Sequence, residues 1–393
     1  MQSALDSILP EICALRHELH QHPEIRFQEH WTSSRITTYL EALGIPYESG
    51  FAKGTGIVAT LQGEAGPTVA LRADMDALEI TEATGLPYTS HNEGYMHACG
   101  HDGHMAILCG VAKVLGTASP LHGTVKLIFQ PAEEMAAGGK LMVEEGALDG
   151  VEAAFALHGW PGLAQGKVGL RSGPIMASGD FFEVTIHGRG GHAANPGSTI
   201  DPIFIAAQII TALQGLVSRE LNPWDAGVIS VTQIQGGTAG NIIPDTARLG
   251  GTFRALSPAL RTQLWEGIQR VCTQVATSFR ASVEVRLTVE PYPPLNNHPG
   301  LTAFSERVLS KALGREALYP VDHPFMTSED FAFYAQKVPS TFLFLGTDAP
   351  GDTDPAQLHT DTFDFNDAAL PIGITSLVSL ACGFLQNPPA ESG

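Results

Sequence analysis

Cationic side chains are scarce in this chain: 22 lysines and arginines stand against 41 aspartates and glutamates, a net charge of -19 over 393 residues. Phosphate backbones and anionic bilayers are held by basic surfaces, so neither nucleic acid nor membrane is an expected partner. A small anionic substrate stays open, because a local basic site can sit on an acidic protein. Cysteine is also sparse. Cys13, Cys99, Cys109, Cys272 and Cys382 form an odd, dispersed set that builds no disulfide framework and points to a reducing, cytoplasmic setting. The N-terminus carries Asp6 and Glu11 where a signal peptide needs an apolar core. Ala368–Leu385 holds no charge and approaches a membrane span in length, but Pro371, Gly373, Thr375, Ser376 and Ser379 interrupt it. It reads as a buried C-terminal core helix of a soluble protein. No internal repeat or low-complexity segment is found, and only the tail Asn387–Gly393 has the composition of an unstructured segment. A Gly-X-Ser-X-Gly elbow is missing, which removes the usual serine-hydrolase arrangement.

What is present divides into two patterns. Helical periodicity over Ser3–His20 and Glu29–Leu43 leads into apolar strands at Thr55–Gln62, Thr68–Arg72, Gly123–Gln130 and Val151–Leu157, with helices between. Such alternation predicts an α/β domain with a mixed, largely parallel sheet, whose sites gather at strand ends. After Ser172-Gly-Pro174 the order becomes β-α-β-β-α-β over 180–289, the arrangement of a ferredoxin-like domain. It closes at Pro291-Tyr-Pro-Pro294, and helix–strand alternation then resumes. The expectation is a catalytic domain of residues 1–175 and 294–393, with residues 176–293 inserted and the two crossings serving as hinges.

Five segments at predicted strand ends or turns crowd metal-ligating side chains. Richest is His97-Ala-Cys-Gly-His-Asp-Gly-His104, with three histidines, a cysteine and an aspartate among glycines. The others are Leu71-Arg-Ala-Asp-Met-Asp76, Phe129-Gln-Pro-Ala-Glu-Glu134, Ala156-Leu-His-Gly-Trp160 and Leu358-His-Thr-Asp361. Singly, each has a plain structural explanation: a capping aspartate, a solvated acidic turn, a histidine bonded to a carbonyl. Their recurrence at strand ends of one domain points to a shared metal site. Adjacent carboxylates such as Glu133 and Glu134 suit a division of labour, one ligating a metal while its free neighbour moves a proton.

These segments, with His17-Glu-Leu-His-Gln-His-Pro-Glu24, Gly188-Arg-Gly-Gly-His192, Gly236-Gly-Thr-Ala-Gly-Asn241, Gly251-Thr-Phe-Arg254 and Ser328-Glu-Asp-Phe331, resemble the M20 metallopeptidase family. The likeness is to its amidohydrolase branch of hippurate, N-acyl-amino-acid and indole-acetyl-amino-acid hydrolases. It implies two divalent metals held by Cys99, His101, Glu134, His158 and His359, with Cys99 bridging. Zinc is the first expectation, and manganese, cobalt or nickel are alternatives. Glu133 is implied as general base and acid. In branches without the cysteine a histidine ligand stands where Asp74 aligns, so Asp74 is not expected on the metals. Asp76 is read as a support that fixes the site by hydrogen bonds, and Asp102 and His104 as supporting or capping residues. His97 is read as solvent-exposed packing, and His17, His20 and His22 as structural.

The inserted domain resembles the family's lid and dimerisation domain. The resemblance implies a homodimer in which His192 reaches the active site of a partner subunit and donates to a developing oxyanion. It also implies that Asn241 and Arg254 hold the free carboxylate of an amino-acid substrate. The expected reaction is metal-dependent hydrolysis of the amide of an N-acyl amino acid. Rival expectations are a dipeptidase or carboxypeptidase on the same scaffold, and a non-catalytic metal-binding homologue.

Overall fold

The computed structural model describes residues 2–117 and 121–389. The end of the expected unstructured tail, residues 390–393, lies outside the described residues. The chain divides into two compact units, one of Met1–Ile175, Asn296–His323 and Asp330–Gly393, the other of Met176–Leu295 and Pro324–Glu329. The short return Pro324–Glu329 falls in the second unit, although the sequence reading gives it to the first. Backbone pairing explains this: the Ala177 amide donates to the carbonyls of Phe325 (3.0 Å) and Thr327 (2.9 Å).

The larger unit is built on an eight-stranded mixed sheet. Its spatial order is Tyr47–Phe51, Gly56–Gln62, His122–Gln130, Glu64–Asp74, Ala153–Ala164, Ser340–Asp348, Val168–Leu170 and Leu318–Pro320. The four central strands run parallel. Positions Val69–Asp74 are all buried, as a strand covered on both faces requires. The strand at Ala153–Ala164 outruns the expected end at Leu157, so His158 lies within it rather than after it. Pairing with Ser340–Asp348 continues to Ala164, while pairing with Glu64–Asp74 stops at Ala156. His158 therefore sits just past the last rung on one side, where the sheet opens.

Helices Gln2–Gln21, His101–Gly116 and Leu370–Gln386 form the main core with this sheet. The last two interlock through glycines. A Cβ on Gly110 would meet Ile374 Cδ1 at 2.5 Å, and one on Gly373 would meet Ile107 Cδ1 at 2.4 Å. Each isoleucine thus fills the notch left by the opposite helix's missing side chain. Pro202–Glu220 and Asp367–Gln386 are long and apolar enough to cross a membrane by length and composition. The second is the expected core helix, with Leu370, Ile374, Leu377, Leu380, Ala381 and Phe384 all buried.

The smaller unit has an antiparallel sheet in the order Gly227–Gly236, Thr246–Ala255, Asp180–His187, Ser282–Leu287. With helices Pro202–Gly215 and Pro258–Ser278, this is the expected ferredoxin-like topology. Along Asp180–His187 buried and half-buried positions alternate strictly, so Phe182, Val184 and Ile186 face Ile205, Ile209, Leu264 and Ile268. Asp201 and Ser257 cap the two helices, each followed by a proline in the first turn.

Candidate metal centre

Three loops and one strand of the larger unit bring their side chains together. Gly100, with φ of 84°, turns the chain into helix His101–Gly116, whose first residue is the expected ligand His101. The turn Pro131-Ala132-Glu133 leaves strand His122–Gln130 through a left-handed Ala132 (φ 57°), and Met135 (65°) and Ala137 (53°) share that conformation. Three non-glycine residues in this strained region within six positions mark a backbone held by its surroundings. His359 is left-handed as well (φ 63°), and its amide donates to the Ala98 carbonyl at 2.8 Å.

Ligand atoms of Cys99, His101 and His158 lie within 4.8 Å of one another, as do those of Cys99, Glu134 and His359, and those of His101, Glu133 and Glu134. Cys99 Sγ is 3.4 Å from His158 Nε2, and Glu134 Oε1 is 3.1 Å from His359 Nε2. Hydrogen bonding sets the tautomers. His101 Nδ1 lies 2.8 Å from the Asp76 carbonyl, and His158 Nδ1 lies 2.7 Å from the Gly159 carbonyl. A carbonyl only accepts, so each Nδ1 carries a proton and Nε2 is the ring nitrogen left for the shared space. His101 Nε2 is buried without a hydrogen-bond partner.

Electrostatics fit a cation in the same place. Burial, with Glu134, Glu133 and Asp74 nearby, pushes the Cys99 thiol well above its ordinary value. A thiolate here requires a positive ion against it. Burial and the neighbouring His104 hold His158 well below its ordinary value, so it is a neutral imidazole. Burial alone would lower His101, but Asp74 and Asp76 outweigh it and raise it to about 10. In the metal-free protein a proton thus stands where a metal ion would supply the charge. The donor set of thiolate, imidazole and carboxylate suits divalent transition metals.

A ring of buried groups supports this cluster. Asp76 accepts the amides of Glu133 (3.0 Å) and Glu134 (2.9 Å). Arg72 binds Asp74 (2.7 Å), Asp330 (2.8 Å) and Gln130 (2.8 Å), joining two strand ends to the segment after Glu329. His104 uses both nitrogens: Nε2 accepts the Gly159 amide at 2.8 Å, so Nδ1 donates to Asp74 at 2.6 Å. No lone pair remains on it for a metal. Asp102 does not cap its helix. Instead it accepts from Arg16 (2.9 Å) and His20 (2.8 Å) at complete burial. His97, expected at the surface, is 1% exposed, and both its ring nitrogens lack hydrogen-bond partners. Burial pushes its pKa down to about 3, so it packs as a neutral ring. The expectation of exposure fails because the loop lies beneath the helix Gln2–Gln21, whose His20 ring is 6.4 Å away.

Sequence reasoning missed Glu29. It is fully buried, accepts the amides of Phe27 (3.0 Å) and Ala132 (2.9 Å), and receives the Thr55 hydroxyl at 2.9 Å. Burial and nearby Asp76 push its pKa up to about 8. Its only sequence signal is an acidic residue just before helix His30–Ala42, which reads as an ordinary helix start.

In the smaller unit, Gly191–His192 pairs with Ile242–Ile243, which places His192 beside Asn241, and the Ala193 amide donates to the Asn241 carbonyl at 3.0 Å. Both residues are exposed. Arg254 lies at the other end of strand Thr246–Ala255, over the Phe181 ring at 5.1 Å and 3.2 Å from Ser328 Oγ. At about 3.4 Å per residue, roughly 27 Å of strand separates Thr246 from Arg254. Thr246, five residues after Asn241, and Arg254 thus stand at opposite ends of this strand.

The profile of Peptidase family M20/M25/M40 matches residues 70–382. The IAA-amino acid hydrolase ILR1-like 4 of Arabidopsis thaliana is 41% identical, covering 96% of this chain and 86% of its own length. The N-acetylcysteine deacetylase of Bacillus subtilis is 39% identical, covering 95% and 96%. A solved Bacillus subtilis structure, described as a dinuclear metal binding peptidase from the M20 family, superposes with a TM-score of 0.82 at 36% identity, covering 97% and 99%. With the profile spanning most of its length and relatives near 40% identity throughout, the chain belongs to Peptidase family M20/M25/M40.

Proposed function

We infer that this protein hydrolyses the amide bond of N-acyl amino acids, releasing a carboxylic acid and a free amino acid. The observation that carries the reading is the buried Glu133–Glu134 pair beside the Cys99, His101, His158 and His359 cluster. Its relatives at about 40% identity are named for removing acyl groups from amino acids. Two divalent metal ions fit the donor set, held by Cys99, His101, Glu134, His158 and His359. Cys99 lies in two of these ligand groups and would hold metal with His101 and His158 on one side and Glu134 and His359 on the other. Zinc suits the thiolate and imidazoles best, and manganese, cobalt or nickel remain compatible. When bound, these ions supply Lewis-acid polarisation of the amide carbonyl and an attacking water of lowered pKa.

The protein's residues do the rest. Glu134 is committed beside His359, so Glu133 is the carboxylate that takes a proton from the attacking water and passes it to the leaving nitrogen. The Asp330 amide, 3.4 Å from Glu133 Oε1, helps hold that carboxylate in place. His192 donates a hydrogen bond to the oxygen that gains charge, and Arg254 and Asn241 bind the substrate carboxylate. Since Asn241 and His192 lie at the opposite strand end from Arg254, two copies complete each site. A homodimer formed through the smaller unit is therefore part of the assignment. Five free cysteines accord with a cytoplasmic setting.

The test is a metal-reconstituted screen over N-acetyl, N-benzoyl and indole-acetyl amino acids, with Gly-X and X-Gly dipeptides for comparison. We expect turnover of acyl amino acids, and its loss with both metals retained in Glu133→Gln. Dipeptide turnover alone moves the assignment to a peptidase, and an active Glu133→Gln removes Glu133 as the base.

A further inference from the structure

The Glu133–Glu134 turn is held by three consecutive amides, and only two of them end on Asp76. The third, from Ala132, ends on Glu29 Oε1 at 2.9 Å. The same oxygen accepts the Phe27 amide at 3.0 Å, while Oε2 receives the Thr55 hydroxyl at 2.9 Å. Both amide donors belong to left-handed residues, Phe27 with φ of 61° and Ala132 with φ of 57°. Thr55 follows a further left-handed pair, Ala52 and Lys53. Three strained turns from distant parts of the larger unit thus close on one carboxyl group. Glu29, Thr55 and Ala132 are all fully buried, so removing the carboxyl takes away the protein acceptor that these buried donors share.

We propose that Glu29 is a positioning residue for Glu133, fixing the left-handed Ala132 so that Glu133 and Glu134 diverge, one toward the metal ligands and one toward the substrate. The proposal rests on the assignment of Glu133 as the proton-transferring group. The physical need is direct. A left-handed alanine is strained and persists only where its neighbours over-determine it. Without the Glu29 acceptor, Ala132 relaxes toward the right-handed or extended region. Its ψ and the next φ set the direction of the Glu133 side chain, so the relaxation swings that carboxylate. Asp76 still holds the following two amides, which keeps Glu134 near His359.

Glu29→Gln separates geometry from charge. Its amide oxygen can accept both backbone amides, and its NH2 can donate to the Thr55 hydroxyl, which then accepts. Glu29→Ala removes the acceptor, and Glu29→Asp withdraws it by one methylene. On metal-loaded enzyme with N-acetyl and N-benzoyl amino acids, we expect kcat to fall about tenfold to hundredfold in Glu29→Ala and Glu29→Asp. KM should stay within about twofold, with both metals retained by elemental analysis. Glu29→Gln should recover most of the wild-type kcat. If Glu29→Ala does not fold, Glu29→Asp decides the matter alone. Unchanged kcat in folded Glu29→Asp overturns the proposal, as does loss of metal in step with activity or failure of Glu29→Gln to rescue. Glu133→Gln is run alongside. An inactive Glu133→Gln with an unaffected Glu29→Asp sinks this inference only, whereas an active Glu133→Gln sinks the base assignment beneath it.

Discussion

At the scale of single residues, the buried ion pairs around the site predict a pH response separate from catalysis. His20 sits at 0% exposure between Asp102 and Glu82. Burial lowers its pKa, but the two carboxylates outweigh burial and hold it up at about 9. A free imidazole has a value near 6.5. The pair therefore stabilises the fold fully below pH 6.5, and the contribution fades as the pH rises through 9, by on the order of 3 kcal/mol. Asp102 does not blur this window, because its value is lowered and it is ionised throughout. Urea unfolding of chelator-stripped protein at pH 6 and pH 9.5 checks the point. Wild type should lose more stability across that interval than His20→Asn; parallel losses in both would be evidence against a charged His20. The motifs that carry the clustered Cys, His and Glu side chains were legible in the sequence because each is local and chemically distinctive. Glu29 and Arg16 were not. Glu29 meets Ala132 across 103 positions and Arg16 meets Asp102 across 86, and neither residue type announces a partner so far away.

At the scale of elements, helix boundaries and the ferredoxin-like order could be read from periodicity, yet the way helices fit together could not. Gly110 and Gly373 look like weak points within their helices by propensity. In the fold they are the contact itself. Gly110→Ala should be destabilising by about 1–3 kcal/mol despite improving intrinsic helicity, because the new methyl overlaps Ile374. Denaturant unfolding measures this, and a neutral or stabilising result would show that the helices re-pack freely. The extended strand at Ala153–Ala164 was misjudged for a related reason. Gly159, Pro161 and Gly162 are poor strand formers, but pairing with Ser340–Asp348 carries the strand through them. Tertiary pairing overrode local propensity there.

At the scale of the whole molecule, the separation of Arg254 from Asn241 has an assembly consequence. If each site draws Glu133 from one copy and Asn241 from the other, two inactive variants repair one another. Mixed and reassembled in equal amounts, Glu133→Gln and Asn241→Ala form mixed dimers in half of cases, each with one intact site. Recovery of about a quarter of wild-type activity is expected. No recovery above the separate variants, with mixed dimers confirmed by native mass spectrometry, would falsify the shared site.

Strand Thr246–Ala255 then acts as a gauge bar. It is paired along both edges, so its length fixes the spacing between the Thr246 end that follows Asn241 and Arg254. A two-residue insertion preserves the alternation of its faces but lengthens the bar by about 7 Å, while a single insertion turns its buried row outward. Composition on its exposed face is free to drift. The number of residues between the Asn241 loop and Arg254 is not.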